Sequence, residues 1–318
     1  MTSELQTAAE TAINQCLGLT ADERCVIVAD DGTQPIGEAL YNVARTISAD
    51  TTIVRYPPGD QHGEEPPAPV AAAMAAADVV LAPTTKSLSH TRARSDANET
   101  GARVATLPGI TERVFTTGLD VDYAAIERHT QQVFDAVSDA ETIRVTAPAG
   151  TDITFEIGDR QFQQDTGIVH SAGEMSNLPA GEAFVSPVSA TGTFVVDGTM
   201  MPHGLLDDGQ TLAFTVEDGQ VTEIEDPKIR EQIETAAEEV GEAAYNLAEL
   251  GIGTNVAVTE LVGSVLLDEK AAQTVHIAIG DDASIGGDVS APLHLDGIIT
   301  DPTVTVDGET ISLPTADE

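Results

Sequence analysis

The sequence predicts an α/β N-terminal domain with a mainly parallel sheet, followed by an α+β metal-bearing domain, with the boundary near residue 140. Three observations predict it. Over the first 140 or so residues, short apolar runs alternate with helical patterns, as βαβ units require. From residue 142, apolar positions recur every second residue between Gly-containing turns, the period of paired antiparallel strands. The chain has 318 residues, 41% of them hydrophobic, which suits two ordinary domains with real cores.

Residues 25–29 (CVIVA) read as a strand ending in the turn-prone DDGTQP. A helix follows over 36–46, with Ala39, Leu40, Val43 and Ala44 on one face. Then come the strand 51–56 (TTIVRY), an Ala-rich helix over 69–77, the strands 78–83 (DVVLAP) and 103–107 (RVATL), and a connecting helix within 120–139. No GxGxxG or Walker loop follows any of these strands, so a nucleotide site has no support. In the second part, 142–158 reads as a hairpin and 192–222 as further strands. A long helical pattern runs from Pro227 to Leu250, followed by GIGTN, another helical stretch and the strand TVHIAIG (274–280). The expected domains are residues 1–140 and 141–318.

Fourteen Lys and Arg residues face 53 Asp and Glu, a formal charge of −39 with the acids spread along the chain. Such charge repels nucleic-acid phosphate and anionic lipid alike, which excludes both as partners. Only three lysines occur, Lys86, Lys228 and Lys270. This balance is tolerated best in concentrated salt, where the Debye length falls to about 3 Å at 1 M, so it points to a salt-adapted protein. Cys16 and Cys25 form no CxxC or knuckle spacing, which leaves no sign of a disulfide framework or zinc finger. The start, MTSELQTAAE, lacks a basic n-region and an apolar h-region. The longest apolar stretch, 69–83, is too short for a bilayer, and a cytoplasmic location is expected.

The chemistry-bearing residues gather in the second half. In HLD, His294 and Asp296 stand two apart, so on a strand both project from one face and suit a divalent metal. His276 lies inside the apolar run TVHIAIG, where a buried imidazole needs partners for both nitrogens. Glu182, Glu249 and Glu269 sit at the edges of apolar or Gly-bounded segments. Asp281 and Asp282 read as solvated loop acids within the Gly-rich rim GDDASIGGD. His90, Arg92 and Arg94 form a local basic cluster that suits pairing with surface acids, and His170, His203 and Met200–Met201 read as structural.

In order, NLPAGEAFVSP (177–187), ELGIGTN (249–255), DEK (268–270), HIAIG (276–280) and HLDGII (294–299) resemble the aminopeptidase T-type leucyl aminopeptidases. The resemblance covers most of the second half, and SHTRARSDANETGARVATLPGIT (89–111) is similar to that family's shorter members. It implies an α/β domain ahead of a metal-bearing domain and a homodimer acting on peptides. It also implies a two-metal site of Zn, Co or Mn held by Glu182, Glu249, His276, His294 and Asp296, with Glu269 a weaker candidate. Glu182 or Glu249 would be the general base toward a metal-activated water. One departure stands out: a tyrosine that the family carries after the HIALG-type histidine corresponds here to Ala283.

A related family of 2,5-dihydroxypyridine dioxygenase type, which opens rings with one ferrous ion, supplies the alternative reading. It implies a triad of His276, His294 and Asp296, explains the missing tyrosine, and leaves Glu182 and Glu249 without a metal role. A third reading is a metal-stabilised relative without turnover, which would bind metal yet leave every amide intact.

Overall fold

A computed structural model describes residues 3–315. The chain forms two compact units, one comprising residues up to Glu127 with Asp165–Ala180, the other comprising Arg128–Gln164 and the residues from Gly181 onward.

The first unit is built on a five-stranded sheet. Its strands lie in the order Thr51–Tyr56, Cys25–Asp30, Val79–Thr84, Arg103–Pro108, Met175–Asn177, and every neighbouring pair is parallel. Cys25–Asp30 and Val79–Thr84 are buried at every position, the signature of strands covered on both faces. The helix Gln34–Ile47 buries Ile36, Ala39, Leu40, Val43 and Ala44, the face that the periodicity predicts. Val26, Val28, Val80, Val104 and Met74 belong to this unit's core. At the end of Cys25–Asp30 the carboxylate of buried Asp30 accepts hydrogen bonds from the backbone N–H groups of Gly32 (2.8 Å) and Thr33 (3.2 Å) and from Thr85 Oγ1 (2.9 Å). The donors that a phosphate would use in this βα turn are already taken by the chain's own acid.

The units divide differently from a single boundary near 140. Residues 128–140 belong to the second unit, and 165–180 return to the first. The return is carried by Met175–Asn177, which pairs with Val104–Thr106. Three residues are too few to show a period in sequence.

The second unit holds two seven-stranded sheets. In one, Thr142–Thr146, Asp152–Glu156, Ser189–Val196 and Leu212–Glu217 pair antiparallel in that order, with the rings of Phe194 and Phe214 stacked 4.5 Å apart. The other is centred on Leu247–Gly253, Thr274–Gly280 and His294–Thr300, antiparallel neighbours, with Glu182–Val185 paired to the outer side of Leu247–Gly253. The helix expected over 227–250 ends at Val240, and a short 3₁₀ turn (Gly241–Tyr245) leads into the strand Leu247–Gly253. The stretch following GIGTN, expected as helical, contains only the four-residue helix Val265–Asp268. Among the described residues, no helix is long and apolar enough to cross a membrane.

Candidate metal centre

The site lies on the central strands of the second sheet. Register places Glu249 opposite Ala278, and Ala278 opposite Asp296, so the two acids flank one small residue across three strands. His294 precedes Asp296 by two residues and shares its face. His276 stands opposite Gly251, and Glu182 opposite Gly253. The register slips between Leu247 and Glu249, an irregularity of the kind that re-aims a side chain beside a site. Gly251 makes room for the imidazole: a methyl there would lie 2.0 Å from His276 Nε2.

The five residues form two groups that share Glu249. Glu182, Glu249 and His276 make one, and Glu249, His294 and Asp296 the other. His276 Nε2 lies 3.3 Å from Glu249 Oε1 and 3.4 Å from Glu182 Oε2. His294 Nε2 lies 3.2 Å from Glu249 Oε2 and 3.3 Å from Asp296 Oδ1. The set that contains His294 and Asp296 is thus completed by Glu249, whereas the expected triad takes His276. The groups also differ in access. Glu182, Glu249 and His276 are buried, while the His294 side chain is 32% exposed.

These residues fit a divalent metal. The set consists of carboxylates and imidazoles, and both Glu182 Oε2 and His276 Nδ1 are buried without a hydrogen-bond partner. His294 is fixed from behind, since its Nδ1–H donates to the carbonyl of Asp281 at 2.7 Å and leaves Nε2 toward Glu249 and Asp296.

The electrostatics are those of a crowded acidic site. Burial opposes ionisation of Glu249, but hydrogen bonds from His276 and His294 outweigh it and hold the carboxyl well below the usual range. Asp296 is likewise lowered: burial raises it most, but the charge of His294, its hydrogen bond and the charge of His276 together outweigh that effect. Burial works against protonation of His276 and His294, yet the surrounding carboxylates raise both, His276 to about 9. Glu182 moves the other way. Burial lifts it to about 8 even though Lys270 and His276 pull it down.

Sequence reasoning left Lys270 without a role. It is buried, and its Nζ contacts Glu182 and lies 3.0 Å from Glu269 Oε1. The available signal was its rarity, a lysine beside Glu269 in a chain with three. Asp282 is not a solvated loop acid. It is buried and accepts hydrogen bonds from Val289 N–H (2.7 Å), Asn246 Nδ2 (2.9 Å) and Ser186 Oγ (3.0 Å), which organise the GDDASIGGD loop. Ala283 lies exposed in that loop and offers no ligand atom. His170 Nε2 bonds the Gln15 carbonyl, and His203 pairs with Asp226, the N-cap of the helix Pro227–Val240. Arg94 bonds the Ser89 carbonyl and Asn98, which ties it into its own helix end. Met200 is buried in a short strand facing Gly297, and Met201 is exposed.

Among curated proteins no sequence matches the chain. Two solved structures share its fold over nearly the whole length. The 2,5-dihydroxypyridine dioxygenase from Pseudomonas putida KT2440 superposes with a TM-score of 0.80 at 18% identity, over 98% of this chain and 96% of that one. Wild-type AmpT, aminopeptidase T, from Thermus thermophilus superposes with a TM-score of 0.69 at 19% identity, over 95% of this chain and 94% of that one. At such identities both likenesses establish the fold, that of two enzymes with different chemistries. The sequence model described as NicX, 2,5-dihydroxypyridine 5,6-dioxygenase, matches residues 4–313, so the chain belongs to the 2,5-dihydroxypyridine 5,6-dioxygenase family.

Proposed function

We propose that this protein is a metal-dependent dioxygenase that uses O₂ to open a hydroxylated nitrogen-containing aromatic ring, 2,5-dihydroxypyridine being the type substrate. The observation that carries the reading is the half-open group Glu249–His294–Asp296, backed by the buried pair Glu182 and His276. The family match supports the choice of ring cleavage over peptide hydrolysis. Glu249, His294 and Asp296 would hold one ferrous ion, which when bound supplies the redox chemistry that couples O₂ to the ring.

The chain's own residues account for binding and proton transfer. The exposed side of His294 is the approach for a flat, polar ring, while the apolar strands beneath exclude bulk water. Glu182, with its carboxyl near 8, takes the proton from a ring hydroxyl at neutral pH, because its basicity is matched to that task. Accepting the proton makes Glu182 neutral, and the adjacent Lys270 and His276 stabilise the carboxylate form that Glu182 has before the transfer.

The test is oxygen uptake. Protein loaded anaerobically with ferrous iron and mixed with 2,5-dihydroxypyridine should consume one O₂ per ring opened, with loss of the ring's absorbance. His294→Ala should lose at least about a hundredfold in rate, the usual scale for removing a metal ligand or its support. Hydrolysis of leucyl amides by the zinc- or cobalt-loaded protein, without oxygen uptake by the iron form, would overturn the reading in favour of an aminopeptidase.

A further inference from the structure

The first unit carries a cavity of its own, of about 280 Å³, beyond the carboxyl ends of its parallel strands. Open parallel sheets hold their ligands at such ends. Tyr56 closes the strand Thr51–Tyr56, Lys86 follows the end of Val79–Thr84 by two residues, and Pro57, Pro58, Pro66 and Pro67 wall the space between. Four fixed pyrrolidine rings make these walls rigid before any ligand arrives. The volume falls just below the range of about 300–1,000 Å³ usual for drug-sized ligands, which suits a compact molecule.

The charges in this cavity stand apart. Lys86 and Glu64 both line it, yet neither has an ion pair among the described residues, in a chain where 53 acids face 14 bases. Glu64 Oε2 accepts the Asp60 backbone N–H at 2.6 Å, which leaves Oε1 without a partner among the described residues. Gly59 admits this turn, since a methyl there would lie 2.9 Å from Glu64 Oε2. Glu65, the other acid of the lining, is taken up by the backbone N–H groups of Arg92 and Ala93 at the start of the helix Arg92–Glu99. The two remaining charges act on different neighbours. Burial, with the charges of Asp30 and Glu64, pushes the Tyr56 phenol up to about 12. Burial and the charge of Lys86 lower His62, whose Nδ1 accepts the Ser87 N–H at 3.2 Å.

We propose that this cavity binds a free amino acid with an apolar side chain, its carboxylate on Lys86, its ammonium group on Glu64 and its side chain against the prolines and the Tyr56 ring. The proposal goes beyond the ring-opening reading and does not depend on it. A zwitterion satisfies both charges at once and adds no net charge to the lining. A simple carboxylate or a phosphate would leave Glu64 unpaired beside a second anion, and a simple amine would leave Lys86 unpaired beside a second cation. An aromatic or branched side chain matches walls of pyrrolidine and phenol.

Isothermal titration calorimetry on the full-length chain tests this, at a KCl concentration where circular dichroism shows the native fold. The probes are L-phenylalanine and L-leucine, with 3-phenylpropionate, which lacks the ammonium group, and 2-phenylethylamine, which lacks the carboxylate. Phenylalanine should saturate one site per chain and bind about tenfold or more tighter than either analogue, because each analogue loses a charge-assisted contact. Lys86→Gln and Glu64→Gln, both on loops, should each weaken phenylalanine by about tenfold or more with circular dichroism unchanged. Zinc-loaded and metal-stripped protein should bind it equally, which separates this cavity from chelation by a metal ion.

Absence of saturable binding for both amino acids would overturn the proposal. So would an analogue that binds as tightly as phenylalanine, binding that vanishes with the metal, or full affinity in either folded variant. Should one variant fail to fold, the other variant and the analogue series decide.

Discussion

At Gly251 a missing side chain sets the geometry of the site. His276 lies across the strand from it, and a Cβ there would sit 2.0 Å from Nε2 and 2.1 Å from Cε1. Gly251→Ala should therefore push the imidazole off Glu249 and Glu182. Overpacking of this kind costs about 1–3 kcal/mol, so thermal unfolding should begin several degrees lower, and the proposed ring-opening activity should drop more than metal content does. Equal metal content and equal activity would show that the ring accommodates the methyl. Single residues also mark the limit of the sequence reading. Glu182, Glu249, His276, His294 and Asp296 were all legible as candidates, through motif order and the two-residue spacing of HLD. Their division into an inner and an outer group was not, because that depends on cross-strand register.

At the scale of elements, the loop between Gly280 and His294 acts as a support. Asp282 fastens it to Ser186, Asn246 and Val289, and the neighbouring Asp281 carbonyl holds His294 Nδ1–H. Arg160 pairs with Asp288 on the same loop, and Gln163 Nε2 bonds the Ile285 carbonyl. Asp282→Ala should leave buried donors without an acceptor, each costing about 1–3 kcal/mol, and should let His294 turn. Metal affinity should fall by about 10- to 100-fold, the range for removing an outer support of a ligand, as read by metal titration. An unchanged affinity in a destabilised variant would restrict Asp282 to a folding role. The strand Leu247–Gly253 is the other lesson at this scale. Its sequence continues the helical pattern of Pro227–Val240, yet burial at every position and pairing on both edges make it a strand. Long-range hydrogen bonding overrides a local period.

At the scale of the molecule, the acids exceed the bases by 39, so most carboxylates have no cationic partner within the chain. The surface ion pairs that do form, such as Arg24–Asp78 and Arg144–Asp152, are at least a third exposed on both sides and contribute little. Self-repulsion dominates, and salt relieves it by shortening the Debye length from about 10 Å at 0.1 M to about 3 Å at 1 M. The unfolding midpoint should accordingly rise steadily with KCl through the molar range. A midpoint independent of KCl would remove salt adaptation as the reason for the acidity.

By itself the sequence determined the layered α/β start, the antiparallel second half, the residue types of the candidate metal site and the acidic composition. Each follows from composition or from a short local period, because strand and helix periods and charge are properties of neighbouring residues. Tertiary structure alone decided that 165–180 rejoin the first unit, that Leu247–Gly253 is a strand, and that Lys270 meets Glu182. The contact between residues 88 positions apart depends on how three strands register, and no local pattern encodes that distance.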